Sequence, residues 1–273
     1  MTSAVAVVGL LLAATPWASM GDSQRADAMA HLKTLPTMRE RLLEATAGFV
    51  GSPYILSPLG EGKGRDSDPL IRWDAVDCVT MIEESFALST AEPNTLVEVL
   101  NGLRYDGPPA WENRLHIMES QWLPMNVKRG LLRDVTAELG GAKTRRVKKV
   151  LSAATWKEKS GVGLALPESK HTLGTYEFDI LPSDVAAEVL AKAPTGLLVV
   201  VVRADRPNAV TRISHVGVLV QTPKGPTLRH ASRSFKKVVD EPLSRYLGRN
   251  LDFAQWTIEG LAIYEPLLVS AKN

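Results

Sequence analysis

Residues 197–203, Leu-Leu-Val-Val-Val-Val-Arg, form an unbroken and largely β-branched run between Gly196 and the loop Asp205-Arg206-Pro207-Asn208. A strand with water on one face alternates apolar and polar residues, so this run predicts a strand buried on both faces. Residues 213–221 follow as a second strand, in which Val216, Val218 and Val220 share one face and His215, Gly217 and Leu219 the other. Thr222-Pro223-Lys224-Gly225 turns the chain, and 227–232 returns as an antiparallel partner. Two in-phase registers place His215 and His230 on the same face, either directly opposite or on the diagonal. A slip of one residue separates them across the sheet.

The second constraint is chemical. The chain of 273 residues has one cysteine, Cys78, which excludes an internal disulfide and a thiolate zinc cluster. From Cys78 to Thr90 there is no Gly or Pro, and Val79, Ile82 and Phe86 recur at helical spacing. The segment reads as a helix opening at Cys78 and capped by Asp74 or Asp77, with an acid three residues after the cap in the manner of a capping box. Free backbone N–H groups in a first helical turn favour a thiolate, whereas the flanking acids oppose it, so a cationic partner is required. His215 as the base, with His230 fixing its tautomer, supplies a mechanism: a Cys78 thiolate attacks an amide carbonyl and water releases the acyl group.

The rest of the chain is read around that pair. Ala4 to Ala14 is an uncharged apolar run followed by Pro16, Ala18, Ser19 and Gly21, which resembles an export signal without a basic n-region. Residues 1–21 are therefore expected to be a signal peptide, and the protein periplasmic or secreted. The run is too short for a stable membrane anchor. Residues 22–273 are expected to be one domain, helical over about 22–195 and β-rich over about 196–270. Residues 23–48 predict two helical pieces joined at Pro36, and 48–68 a glycine- and proline-broken loop holding Tyr54. Arg114 and His116, one residue apart, would project to one side of an extended segment and suit an anionic or carbonyl-rich ligand. Residues 143–149 carry five basic residues, read chiefly as a solvated face. The 32 basic and 30 acidic residues nearly cancel, so no overall field points to nucleic acid.

Asp77-Cys78 opening a helix, Ser214-His215-Val216-Gly217 on one strand and Leu228-Arg229-His230-Ala231-Ser232 on the next resemble the NlpC-type, papain-like cysteine peptidases of bacterial cell-wall peptides. The wider pattern is similar to one branch, the N-acetylmuramoyl-L-alanine amidase-like family. Gly51-Ser-Pro-Tyr54, Asp77-Cys-Val-Thr80 with Glu83, Arg104-Tyr105, Asn113-Arg-Leu-His116 with Trp122, and Asp134-Val-Thr136 carry it, together with the histidine segments. The resemblance implies an α+β fold with the nucleophile helix packed on an antiparallel sheet, extra N-terminal helices, and a Cys78-His215-His230 triad. It also implies a peptidoglycan or muropeptide substrate cut between N-acetylmuramic acid and L-alanine, with Tyr54, Arg114 and His116 as candidate substrate contacts and no metal or cofactor. The competing expectations are a γ-D-glutamyl-diamino-acid endopeptidase and an inactive wall-binding module. Two features depart from the family pattern: Gly196-Leu197 stands where a Gly-Asp pair is usual, and the stretch 141–171 reads as an insertion that could reshape the cleft.

Overall fold

The computed structural model describes residues 15–251 and 255–268. The whole apolar run from Ala4 to Ala14, expected to belong to an export signal, lies outside them. The fold is α+β, with eight antiparallel strands in one sheet: β1 (Leu132–Asp134), β2 (Arg145–Leu151), β3 (Gly174–Pro182), β4 (Leu198–Arg203), β5 (Ile213–Thr222), β6 (Gly225–Ser232), β7 (Lys237–Pro242) and β8 (Ile258–Pro266). Their order is β2-β3-β8-β4-β5-β6-β7, and β1 also pairs with β8. Five longer helices surround the sheet: α1 (Asp22–Thr34), α2 (Met38–Ala47), α3 (Cys78–Thr90), α4 (Leu96–Arg104) and α5 (Leu243–Leu251).

The unbroken apolar run takes the central place that its composition requires. In β4, Leu198, Val200 and Val202 pack with the core of α1 to α4, whereas Val199 and Val201 pack on the opposite face with Leu243, Tyr246 and Leu247 of α5. All six strand residues are buried, because a sheet covered on both faces has no side on which a polar residue would be solvated.

Helix α3 is surrounded by α1, α2, α4 and the sheet. The three-residue stripe expected from its sequence understates its burial, since Thr80 to Ser89 are all buried, Glu83 and Glu84 included. Glu83 is held by specific partners, whereas one buried oxygen of Glu84 has none among the described residues. Glu83 accepts the Trp122 indole N–H at 2.8 Å and pairs with Arg104 at 3.2 Å, while Glu84 accepts the Arg72 backbone N–H at 3.2 Å. Burial pushes the Glu83 carboxyl up to about 7, against the pull of Arg104 and Trp122.

Three differences from the sequence reading have clear physical causes. The portion expected to be helical up to residue 195 also contains β1, β2 and β3. The basic run forms β2, where Arg146 meets Asp179, Arg145 meets Glu259, and Lys149 is fully buried on Asp205. Arg145, Arg146 and Lys148 are exposed, as a solvated face requires, and the departure from that expectation is the burial of Lys149. Finally, Trp17 lies within the stretch 1–21, yet its side chain is buried and its indole N–H donates to the Ala45 carbonyl at 2.8 Å. A Cβ on Gly48 would come within 2.5 Å of that indole, so glycine is what allows Trp17 to seat on the end of α2.

Candidate active site

Asp77 is the residue that caps α3. One carboxylate oxygen accepts the Val79 and Thr80 backbone N–H groups at 3.0 and 2.8 Å, and the other accepts from Ser57 at 2.9 Å. The capping box closes through Thr80, whose hydroxyl accepts the Asp77 N–H at 2.9 Å. Asp74, the alternative cap, is spent on Arg72. Cys78 is thereby the first residue of the helix and is half-buried.

The sheet brings the two histidines together. Strand β5 pairs with β6 so that Val218 faces Arg229, which is the diagonal register for His215 and His230. His215 Nε2 and His230 Nδ1 are 2.8 Å apart, with the rings nearly perpendicular at 88°. Gly217 permits the approach, since a Cβ there would sit 3.0 Å from the His230 Cβ and 2.6 Å from the Arg229 carbonyl oxygen. The Val216 backbone amide, next to His215, is one of the groups that favour the Cys78 thiolate. Tyr246 of α5 lies against both rings, stacked on His215 at 6.0 Å and edge-on to His230 at 5.2 Å.

Two residues that the sequence reading did not identify extend this chain of contacts. His230 Nε2 is 3.2 Å from Glu241 Oε2 on β7, and Arg249 on α5 grips both Glu241 oxygens at 2.8 Å. Burial raises the Glu241 carboxyl, but hydrogen bonds from Arg249 and His230 outweigh it and bring the group down to about 2. Glu241 therefore stays ionised at the far end of the imidazole pair. Its pairing opposite Leu228 puts it close enough for the diagonal contact to His230. From sequence, the only signal was the alternation of Val239 and Glu241 in a short strand after the second histidine.

The electrostatics of the thiol depart from the helix-start argument. Burial, then the Asp77 charge, push the Cys78 thiol up to about 12, although the Val216, Cys78 and Val79 amides pull the other way. Helix-end amides contribute roughly 0.3–1 kcal/mol, less than one pKa unit, while desolvation is worth up to several units. His215 is driven well below the ordinary imidazole value by burial, then by His230, Arg249 and Arg203. At rest the Cys78 thiol and the His215 imidazole are thus both neutral.

The remaining candidates fall into two places. Tyr54 is joined to the β6–β7 turn by its N–H to the Lys236 carbonyl at 2.9 Å, and burial, then Cys78 and Asp77, raise its hydroxyl to about 12. Arg114 and His116 are occupied elsewhere. Arg114 bridges Glu61 at 2.5 Å and Asp66 at 2.8 Å, and His116 Nε2 lies 2.8 Å from the Trp111 carbonyl oxygen. They do not line the cavity of about 580 Å³ formed by Arg203, His215, His230, Arg233, Tyr246 and Trp256 among others.

That cavity opens on the imidazole relay, and Cys78, like Tyr54, is not part of its lining. Replacing Glu241 with Gln keeps the shape of the contact and removes its charge. The variant is expected to lower kcat about 10- to 100-fold with little change in KM. Loss of the negative charge also makes protonation of His215 harder, so the acid limb of the pH–kcat/KM profile moves to lower pH. A profile that stays in place would show that Glu241 only packs.

Comparison with known proteins supplies a family. Residues 44–253 match the AmiA-like family model, described as N-acetylmuramoyl-L-alanine amidase-like. Among solved structures, the Legionella pneumophila protein LPG0564 is 24% identical, with a TM-score of 0.76 over 90% of this chain and 94% of that one. An N-acetylmuramoyl-L-alanine amidase from Bacteroides uniformis is 22% identical, with a TM-score of 0.65 over 83% and 99% of the two chains. A protein from Bacteroides fragilis described as a putative xylanase is 24% identical, with the same TM-score over 81% and 99%. No curated protein matches the sequence. Likeness at these identities concerns the fold.

Proposed function

The chain belongs to the N-acetylmuramoyl-L-alanine amidase-like family, and from that premise we propose that it is a cysteine hydrolase of peptidoglycan or muropeptides, of the NlpC-type papain-like class. The bond cut is the amide between the lactyl group of N-acetylmuramic acid and L-alanine. The single observation that carries this reading is the relay His215-His230-Glu241, built on the strands against which the Cys78 helix packs.

In the proposed mechanism His215 takes the Cys78 proton as the sulfur attacks the lactyl carbonyl, so charge develops only as the C–S bond forms. His230 Nδ1 accepts from His215 Nε2–H, which leaves His215 Nδ1 free as the base, and His230 Nε2–H donates to the Glu241 carboxylate, which stabilises the cationic relay. The tetrahedral oxyanion takes the Cys78 backbone N–H at the start of α3. Tyr54, held in its protonated form, is the second donor in this scheme. Protonated His215 then gives its proton to the departing L-alanine nitrogen, the C–N bond breaks, and the muramyl acyl group remains on sulfur. Water, deprotonated by His215, attacks the thioester and frees the acid and the thiol.

An extracytoplasmic location follows from a cell-wall substrate and from the apolar run at 4–14. The burial of Trp17 favours signal cleavage upstream of that residue, so that the mature domain begins earlier than residue 22.

The test is mass spectrometry of defined muropeptides incubated with wild type and with Cys78→Ala. Sugar bearing a free lactyl carboxyl together with an intact peptide, formed only with Cys78 present, is the expected result. A cut inside the peptide would replace this reading with the γ-D-glutamyl-diamino-acid endopeptidase. No product from any substrate, with binding intact, would leave a wall-binding module.

A further inference from the structure

The cavity around the histidines contains three arginines, and they are not equivalent. Arg203 donates to the Ser214 hydroxyl at 2.8 Å and to Asn250 at 3.0 Å, and Arg249 is bound to Glu241. Arg233 is exposed, and among the described residues no hydrogen bond or ion pair engages its guanidinium. The lining of the cavity includes no aspartate or glutamate. A cation that the protein leaves uncompensated beside a reaction centre has one evident use, which is to meet a negative charge on the substrate.

Arg233 also projects from a fixed base. The turn joining β6 to β7 is tied on one side to the segment carrying Tyr54: Tyr54 donates to Lys236 at 2.9 Å, Val238 to Ser52 at 2.9 Å, and Gly51 to Val238 at 3.0 Å. On the other side Phe235 sits under the guanidinium groups of Arg245 and Arg249, at 6.0 and 5.6 Å. Two residues before that aromatic anchor, Arg233 stands at the cavity wall.

We propose that Arg233 is a specificity-determining residue that binds a free carboxylate on the peptide arm of the substrate, one residue beyond the cleaved bond. This rests on the amidase reading above. In that substrate the lactyl carboxyl is consumed in the amide and the sugar carries no charge. The carboxylate nearest the bond on the peptide side is the α-carboxylate of a second-position D-glutamate linked through its γ-carboxyl. The partner is thus a muramyl peptide that keeps this group as an acid and not as a carboxamide. A guanidinium can hold such a group by two parallel hydrogen bonds, which a carboxamide cannot accept.

The experiment compares N-acetylmuramoyl-L-alanyl-D-glutamate with its D-isoglutamine counterpart on wild type, Arg233→Gln and Arg233→Lys. Wild type is expected to favour the acid by about 10- to 100-fold in kcat/KM, chiefly through KM. The acid-to-amide ratio is expected to fall to near one in Arg233→Gln and to recover in part in Arg233→Lys. Equal cleavage of both compounds by wild type, or a loss in Arg233→Gln that strikes both alike, would overturn the assignment and leave the amidase reading standing. Failure of wild type to cleave either compound would overturn the amidase reading, and the inference with it.

Discussion

Cys78→Ala is expected to reduce turnover of a muramyl peptide by at least about 10⁴-fold, with the fold intact, because it removes the only atom able to form the acyl-enzyme. His215→Ala should cost nearly as much. The double variant should be scarcely worse than either alone, since nucleophile and base act as one unit. Circular dichroism on each variant separates loss of chemistry from loss of structure. The neutral resting pair adds a pH signature. With the thiol pushed to about 12 and His215 depressed, alkylation of Cys78 by iodoacetamide should rise about tenfold per pH unit from 6 to 9 as the thiolate fraction grows. A plateau already reached near pH 6 would instead mean a preformed thiolate–imidazolium pair, and would sink the neutral-pair account. The sign for activity follows from the same shifts. The base His215 is depressed, so it remains neutral and competent at pH 7, and activity fails only as pH falls below the ordinary imidazole range toward its lowered value.

The second large effect is on stability. Arg104→Ala is expected to destabilise the protein by about 3–5 kcal/mol, because it leaves the Glu83 carboxyl buried inside the nucleophile helix without its ion partner. Arg104 is itself buried, with its side chain 4% exposed, and it also donates to the Leu59 carbonyl at 2.9 Å. Urea unfolding of wild type and variant measures the difference. The pH dependence provides a check on the cause. The folded Glu83 pKa is raised, so its contribution is fully present below the ordinary carboxyl value of 4.5 and is lost as pH rises through about 7. Removing Arg104 raises that value further, and the deficit should therefore be larger at pH 8 than at pH 5. A deficit independent of pH would point to lost packing alone. Pairing Arg104→Met with Glu83→Leu should recover much of the stability, since an apolar pair of similar volume leaves no charge unpaired.

Several of these features could be read before any coordinates. The run at 197–203 had to be a central strand, because six consecutive apolar residues have no solvated face to offer, and β4 lies between β8 and β5. A turn at Pro223-Lys224 set the hairpin, and the period of two then put His215 and His230 on one face in either permitted register. Asp77 followed by Cys78 marked a helix start, since a short acid is a good cap and no helix breaker follows for a full helix length. Each of these is a local property, fixed by neighbours within a few residues.

What tertiary structure decided is the set of long-range contacts that local rules do not reach. Glu241 and Arg249 join the histidines only because β7 lies beside β6 and α5 folds back over the sheet. Arg114 looked like a ligand-binding cation in sequence but meets Glu61 and Asp66 from a distant loop. Arg233, which had no motif around it, stands at the cavity with its guanidinium engaged by no hydrogen bond or ion pair among the described residues. The protonation of Cys78 shows the same division. The sequence determined that the thiol opens a helix, where amides favour the anion. Burial and the Asp77 charge, which depend on how the whole chain packs, outweigh that local preference and keep the proton on sulfur until a substrate arrives.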